Sequence, residues 1–114
     1  MKTLEDITRV RHMFESAEEA CEFLGDTKFE DFRKNRQLAH AVMRTLEIMG
    51  EAASQVSSEF QNDHPEITWR TIIGMRNRLV HAYFDINFTV VWETVRDDLP
   101  PFIAQLKTIL DKNI

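Results

Sequence analysis

This chain has little of the material that makes turns, cross-links or membrane spans. Three glycines and three prolines in 114 residues are too few for a series of hairpin turns, which disfavours an all-β fold. A single cysteine, Cys21, excludes an internal disulfide, and its place in an apolar helical phase marks it as a buried, inert thiol. No run approaches the roughly 20 apolar residues of a membrane span. The start of the chain, Met1-Lys2-Thr3-Leu4-Glu5-Asp6, has acids where a signal peptide would have bases and then an apolar core. The expectation is a cytoplasmic protein that does not contact membranes. Positive charge is scarce as well. A net charge of −5 argues against indiscriminate nucleic-acid binding while leaving room for a small basic cleft.

What is present suits one soluble domain, residues 1–114, with 43% hydrophobic and 29% charged residues and enough length to bury a core without disulfides or metal. The expected fold is all-α, an up-and-down bundle of four to five helices. Leu4, Ile7, Val10, Phe14, Ala17, Cys21 and Leu24 recur at three and four, predicting a first helix over Thr3 to Leu24 that stops at Gly25. Thr27-Lys28-Phe29-Glu30 has capping-box spacing and predicts a short helix, or a one-turn entry into the next one, with Thr27 at its cap. A second long helix is expected from Arg36 to Phe60. It carries two apolar stripes about 100° apart, so it should touch more than one neighbour, with Ala39, Gly50 and Ala53 admitting a close backbone. Asn62-Asp63-His64-Pro65 reads as a loop, and a third helix is expected from Glu66 to Phe84. Asn87 is placed to cap the last segment. There, helical phase from Phe88 to Leu110 continues through Pro100-Pro101, predicting one helix with a kink near Asp97 to Leu99.

The chemistry concentrates in Met75-Arg76-Asn77-Arg78-Leu79-Val80-His81-Ala82-Tyr83-Phe84-Asp85. It lies in the longest acid-free part of the chain, Ile67 to Phe84, whose only charged residues are Arg70, Arg76 and Arg78. Arg76 falls within an apolar helical stripe. A guanidinium there must be met by a partner, because burying it alone is costly. One reading is a salt bridge to Glu51 or Glu47 of the second helix. The other is an anion site in which arginine grips a phosphate. On the expected helix His81 stands one turn after Asn77 and about 140° from Arg76, so the two could converge on one ligand from either side of a groove. Histidine exchanges protons near neutrality, and arginine with histidine suffices to cleave RNA through its own 2′-hydroxyl, without metal. Tyr83 could bond a phosphate or stack on a base. Each residue alone has an ordinary structural reading; the functional reading comes from their combination. The four histidines show no paired metal-ligand spacing, and no cofactor is called for.

The segment Arg76-Asn77-x3-His81-x-Tyr83 resembles the Arg-x4-His-x-Tyr signature of HepT-like toxins in the HEPN superfamily. Leu46-Glu47-Ile48-Met49-Gly50-Glu51-Ala52, Pro65-Glu66-Ile67-Thr68-Trp69-Arg70, Ile73-Gly74-Met75, Val91-Trp92 and Asp98-Leu99-Pro100 also resemble landmarks of that family, in its order. The resemblance implies an all-helical homodimer whose two motifs face each other across a cleft as a composite ribonuclease site. It implies a type II toxin–antitoxin system in which a minimal nucleotidyltransferase antitoxin, MntA, adenylylates the motif tyrosine, here Tyr83. The resulting expectation is a metal-independent endoribonuclease acting on tRNA or mRNA. Arg76 and His81 would be catalytic, and Asn77, Arg78 and Arg70 would support the site or bind RNA. The alternative is a non-catalytic helical module that binds, or presents a substrate to, a nucleotidyltransferase.

Overall fold

The structure, a computed structural model, describes residues 4–82 and 85–113, with residues 76 and 80–82 described by their backbone alone. Its first helix, α1 (Leu4–Leu24), ends where the sequence places the stop. Gly25 takes a left-handed φ of 53°, and its N–H donates to the Cys21 carbonyl at 2.9 Å. The short helix α2 (Phe29–Phe32) follows, but its cap is Lys28 and no side chain bonds it. Thr27 therefore does not form the expected capping box.

Helix α3 (Arg36–Ser54) is the central element, in contact with α1 and with the later helices of the motif region and C-terminal arm. Its buried residues include Ala39, Val42, Leu46, Met49, Gly50 and Ala53, so both expected stripes are used. At Gly50 another backbone comes close. A Cβ there would lie 2.8 Å from the Ile72 carbonyl oxygen.

The second helix does not run on to Phe60 as expected. It stops at Ser54, and a separate helix α4 (Ser58–Asp63) starts four residues later. Ser57 caps it, its hydroxyl accepting from the Phe60 N–H at 3.2 Å. The carboxylate of Asp6, from α1, accepts the Ser57 N–H at 2.9 Å and its hydroxyl at 2.8 Å. A buried acid 51 positions away thus satisfies donors that a continuous helix would have used internally.

The third expected helix is also divided. Helix α5 (Trp69–Ile73) closes on Gly74, and α6 (Met75–Leu79) starts at once. After Leu79 the chain leaves the helix altogether. Strand β1 (Val80–Ala82) pairs antiparallel with β2 (Asp85–Ile86), Val80 opposite Ile86 and Ala82 opposite Asp85, with an irregularity between. Short apolar runs fit both periods, and the β-branched Thr71, Ile72, Ile73 and Val80 lower helix preference on either side of Gly74. Among the described residues this hairpin is the only sheet, and the fold is all-α.

The C-terminal arm matches its expectation. Asn87 caps helix α7 (Phe88–Glu93), accepting from the Val90 N–H at 3.2 Å. A π-helical turn, Thr94–Asp98, joins it to helix α8 (Leu99–Asp111), with the Leu99 N–H reaching back to the Thr94 carbonyl. Pro100 and Pro101 cannot donate to the carbonyls one α-turn earlier, so the helix widens there instead of breaking. The core lies between α1, α3 and this arm, around Met13, Phe32, Leu46, Met49, Phe60 and Leu106. No helix among the described residues is long and apolar enough to cross a membrane.

Candidate functional site

Arg76 sits in α6 and His81 at the centre of β1. The helical offset of about 140° expected between them therefore does not hold, because the helix ends at Leu79. The two backbones are instead joined by a helix-to-strand corner, at which the Asn87 N–H donates to the Leu79 carbonyl at 2.7 Å. Tyr83 lies outside the described residues, as do the side chains of Arg76 and His81. Glu51, one expected partner of Arg76, pairs with Arg44 of its own helix at 3.5 Å. Asn77 is exposed on α6, its N–H donating to the Gly74 carbonyl at 3.1 Å.

The other two arginines of the acid-free window do not share a site. Arg70, exposed on α5, lines a polar hollow of about 390 Å³ with Gln61, Asn62 and Trp69. Arg78, exposed on α6, lines a different groove of about 300 Å³ between α5, α6 and the π turn. The floor of that groove is apolar: Met49, Ile72, Met75, Leu99 and Phe102 line it and are each at most 8% exposed.

Its rim is not acid-free. Glu66, Asp97 and Asp98 stand on it with Arg78. Glu66 is taken by His64, whose Nδ1 lies 3.4 Å from Glu66 Oε2. Arg78, Asp97 and Asp98 make no ion pair or side-chain hydrogen bond among the described residues. Sequence reasoning missed Asp97 and Asp98 as site residues. The available signals were the Asp98-Leu99-Pro100 landmark and the expected kink, since a π turn often marks a functional position.

Around these grooves the side chains have structural roles. The Trp69 indole N–H donates to the His64 carbonyl at 2.9 Å, and the Trp92 indole N–H to the Thr27 carbonyl at 3.1 Å. The Cys21 thiol is half-buried with its Sγ 4.0 Å from the Val95 carbonyl of the π turn. Burial pushes its pKa up, and Glu18 adds to the shift. Among the described residues no group of three His, Cys, Asp or Glu is placed to hold a metal ion.

Comparison with known proteins finds relatives of this chain. A family model described as ribonuclease HepT-like matches residues 13–109. A protein of Thermococcus cleftensis that bears the name ribonuclease HepT is 41% identical over 97 residues, covering 85% of this chain and 83% of its own. A relative from Caldanaerobacter subterraneus subsp. tengcongensis with an RNase name is 38% identical over 103 residues, covering 90% and 92%. Another RNase-named relative, from Methanocaldococcus jannaschii, is 33% identical over 97 residues, covering 85% and 89%. No solved structure matches the chain.

Proposed function

Because the chain belongs to the HepT-like ribonuclease family, we propose that it is a metal-independent endoribonuclease toxin working through Arg76, His81 and Tyr83 at the cleft of a homodimer. The observation that carries the reading is the family match across residues 13–109, which spans the whole motif. In this mechanism the ribose 2′-oxygen attacks the adjacent phosphorus and the 5′-oxygen leaves, giving a cyclic phosphate and a 5′-hydroxyl. His81 takes the proton from the attacking hydroxyl or gives one to the leaving oxygen. Arg76 stabilises the charge that develops on the phosphorane, and Asn77 orients His81 or the phosphate.

Neutralisation follows from the same site. A minimal nucleotidyltransferase antitoxin, encoded as the partner of a type II pair, transfers AMP from ATP to the Tyr83 oxygen in the cytoplasm, with loss of the phenol proton and release of pyrophosphate. The added bulk and negative charge repel the phosphates of tRNA or mRNA from the cleft. Arg70 and Arg78 contribute positive charge toward the substrate on either side of α5 and α6.

Expression of the wild type without the antitoxin should arrest growth, and His81→Ala and Arg76→Ala should not. Equal arrest by wild type and His81→Ala would remove His81 from the mechanism. Cleavage of purified RNA should persist in excess chelator, and its loss there would refute the metal-free route. Tyr83→Phe should remain toxic in the presence of the antitoxin.

A further inference from the structure

The groove beside α6 holds opposite charges that do not neutralise one another. Arg78 stands on its rim, Asp97 and Asp98 also line it, and none of the three is paired among the described residues. All three are exposed, above a floor of buried apolar side chains. Its volume of about 300 Å³ lies at the small end of the range for ligand pockets.

We infer that this groove is a nucleotide subsite selective for guanine, with Asp97 or Asp98 accepting from the base and Arg78 holding its phosphate. This deepens the ribonuclease reading and rests on it for the RNA context. The charges exclude simpler occupants. A lone anion would meet two aspartates, and a lone cationic side chain would meet Arg78. A ligand with N–H donors at one end and a phosphate at the other uses both signs. The apolar floor formed by Met49, Ile72, Met75, Leu99 and Phe102 suits the face of a flat heterocycle, such as a base turned out of a single strand.

The carboxylates then choose the base. An ionised carboxylate only accepts hydrogen bonds. Guanine alone among the four presents two adjacent donors, N1–H and the N2 amino group, matching its two oxygens. Adenine and cytosine set a ring acceptor beside their amino group, and uracil flanks its single N–H with carbonyls, so each of these brings an acceptor against the carboxylate. The planar fork of Arg78 fits a phosphate in the same way. The π turn matters because it carries both aspartates beside the first turn of α8, and Asp98 makes no cap bond with its side chain there. Arg78 also ties the subsite to the motif, since Arg76 shares α6 with it and β1, which carries His81, follows directly.

The test is titration of the purified full chain with GMP, AMP, CMP and UMP by calorimetry, together with mapping of cleavage positions on a long mixed-sequence RNA. GMP should bind about tenfold or more tightly than the others, as expected for one well-formed bidentate base contact. Asp97→Asn combined with Asp98→Asn should abolish that preference, and Arg78→Ala should weaken all four nucleotides alike. Cleavage by the wild type should cluster beside guanine and shift in the double variant. Equal affinities for the four nucleotides, or a GMP preference that survives the double substitution, would overturn the assignment. So would stronger binding of an arginine-rich peptide than of GMP, which would make the groove a protein-docking surface. Guanine selectivity that responds to the variants in a chain that cuts no RNA would uphold the subsite and remove the ribonuclease reading. RNA cleavage with a base pattern unchanged in the double variant would remove the subsite alone. All three positions are exposed, so the variants should keep the wild-type Tm.

Discussion

At the scale of single residues, the titratable groups separate into structural and available ones. Cys21 belongs to the first kind: its thiol is half-buried against the π turn, and burial holds its pKa above the usual value. A raised pKa leaves less of the nucleophilic thiolate at any given pH. Cys21 should therefore react with iodoacetamide more slowly than a free cysteine peptide near neutrality, with the rate rising only at more alkaline pH than for the peptide. A rate equal to the peptide's would show that the site is open. Asp6 is likewise committed, buried and bonded to Ser57. Asp97, Asp98 and Arg78 are the available kind. Asp97 and Asp98 were not legible as site residues in the sequence, where they figured only at the expected kink and, for Asp98, in the Asp98-Leu99-Pro100 landmark.

Secondary structure departs from simple periodicity where contacts between distant residues intervene. The first helix, the Gly25 stop and the Asn87 cap were legible, because each depends on residues within a turn of one another. The break before Ser57 was not, since its buried acceptor comes from α1. The corner after Leu79 was not either, because Val80 finds its partner at Ile86 across the hairpin. The packing of α5 on α3 is a further case. Gly50 was legible as a place for close approach, but only the fold shows that the approaching group is the Ile72 carbonyl. A Cβ at 2.8 Å must push that backbone away, and α5 leads directly into α6. Gly50→Ala should lower stability by about 1–3 kcal/mol, read as a lower denaturant midpoint with an unchanged slope. A wild-type midpoint would mean that α5 shifts without cost.

The whole molecule is a slab, 45 × 27 × 19 Å. Its thickness is close to two helix diameters of about 10 Å, so helices packed into its core also lie near a broad face. A homodimer would set the two copies of the Arg76–His81–Tyr83 motif across one cleft. Light scattering behind size exclusion should then give twice the mass of one chain at micromolar concentration, and a single-chain mass there would refute the composite site. The acid-free window from Ile67 to Phe84 is a property of the linear chain. In the folded molecule Glu66, Asp97 and Asp98 line the same groove as Arg78, while Arg70 lines another.

The sequence by itself determined the helical class, the central place of α3, the kink ahead of Pro100-Pro101 and the Arg76–His81 motif. Each of these is written in residue types and short spacings, which act through steric and hydrogen-bond preferences within a few turns. Tertiary structure alone decided that the third helix ends at Leu79 in a hairpin, that Arg70 and Arg78 part company, and that Asp97 and Asp98, unpaired among the described residues, line one groove with Arg78. These depend on which distant side chains meet once the apolar faces are buried. Charge and packing then act through space, at distances the order of the chain does not record.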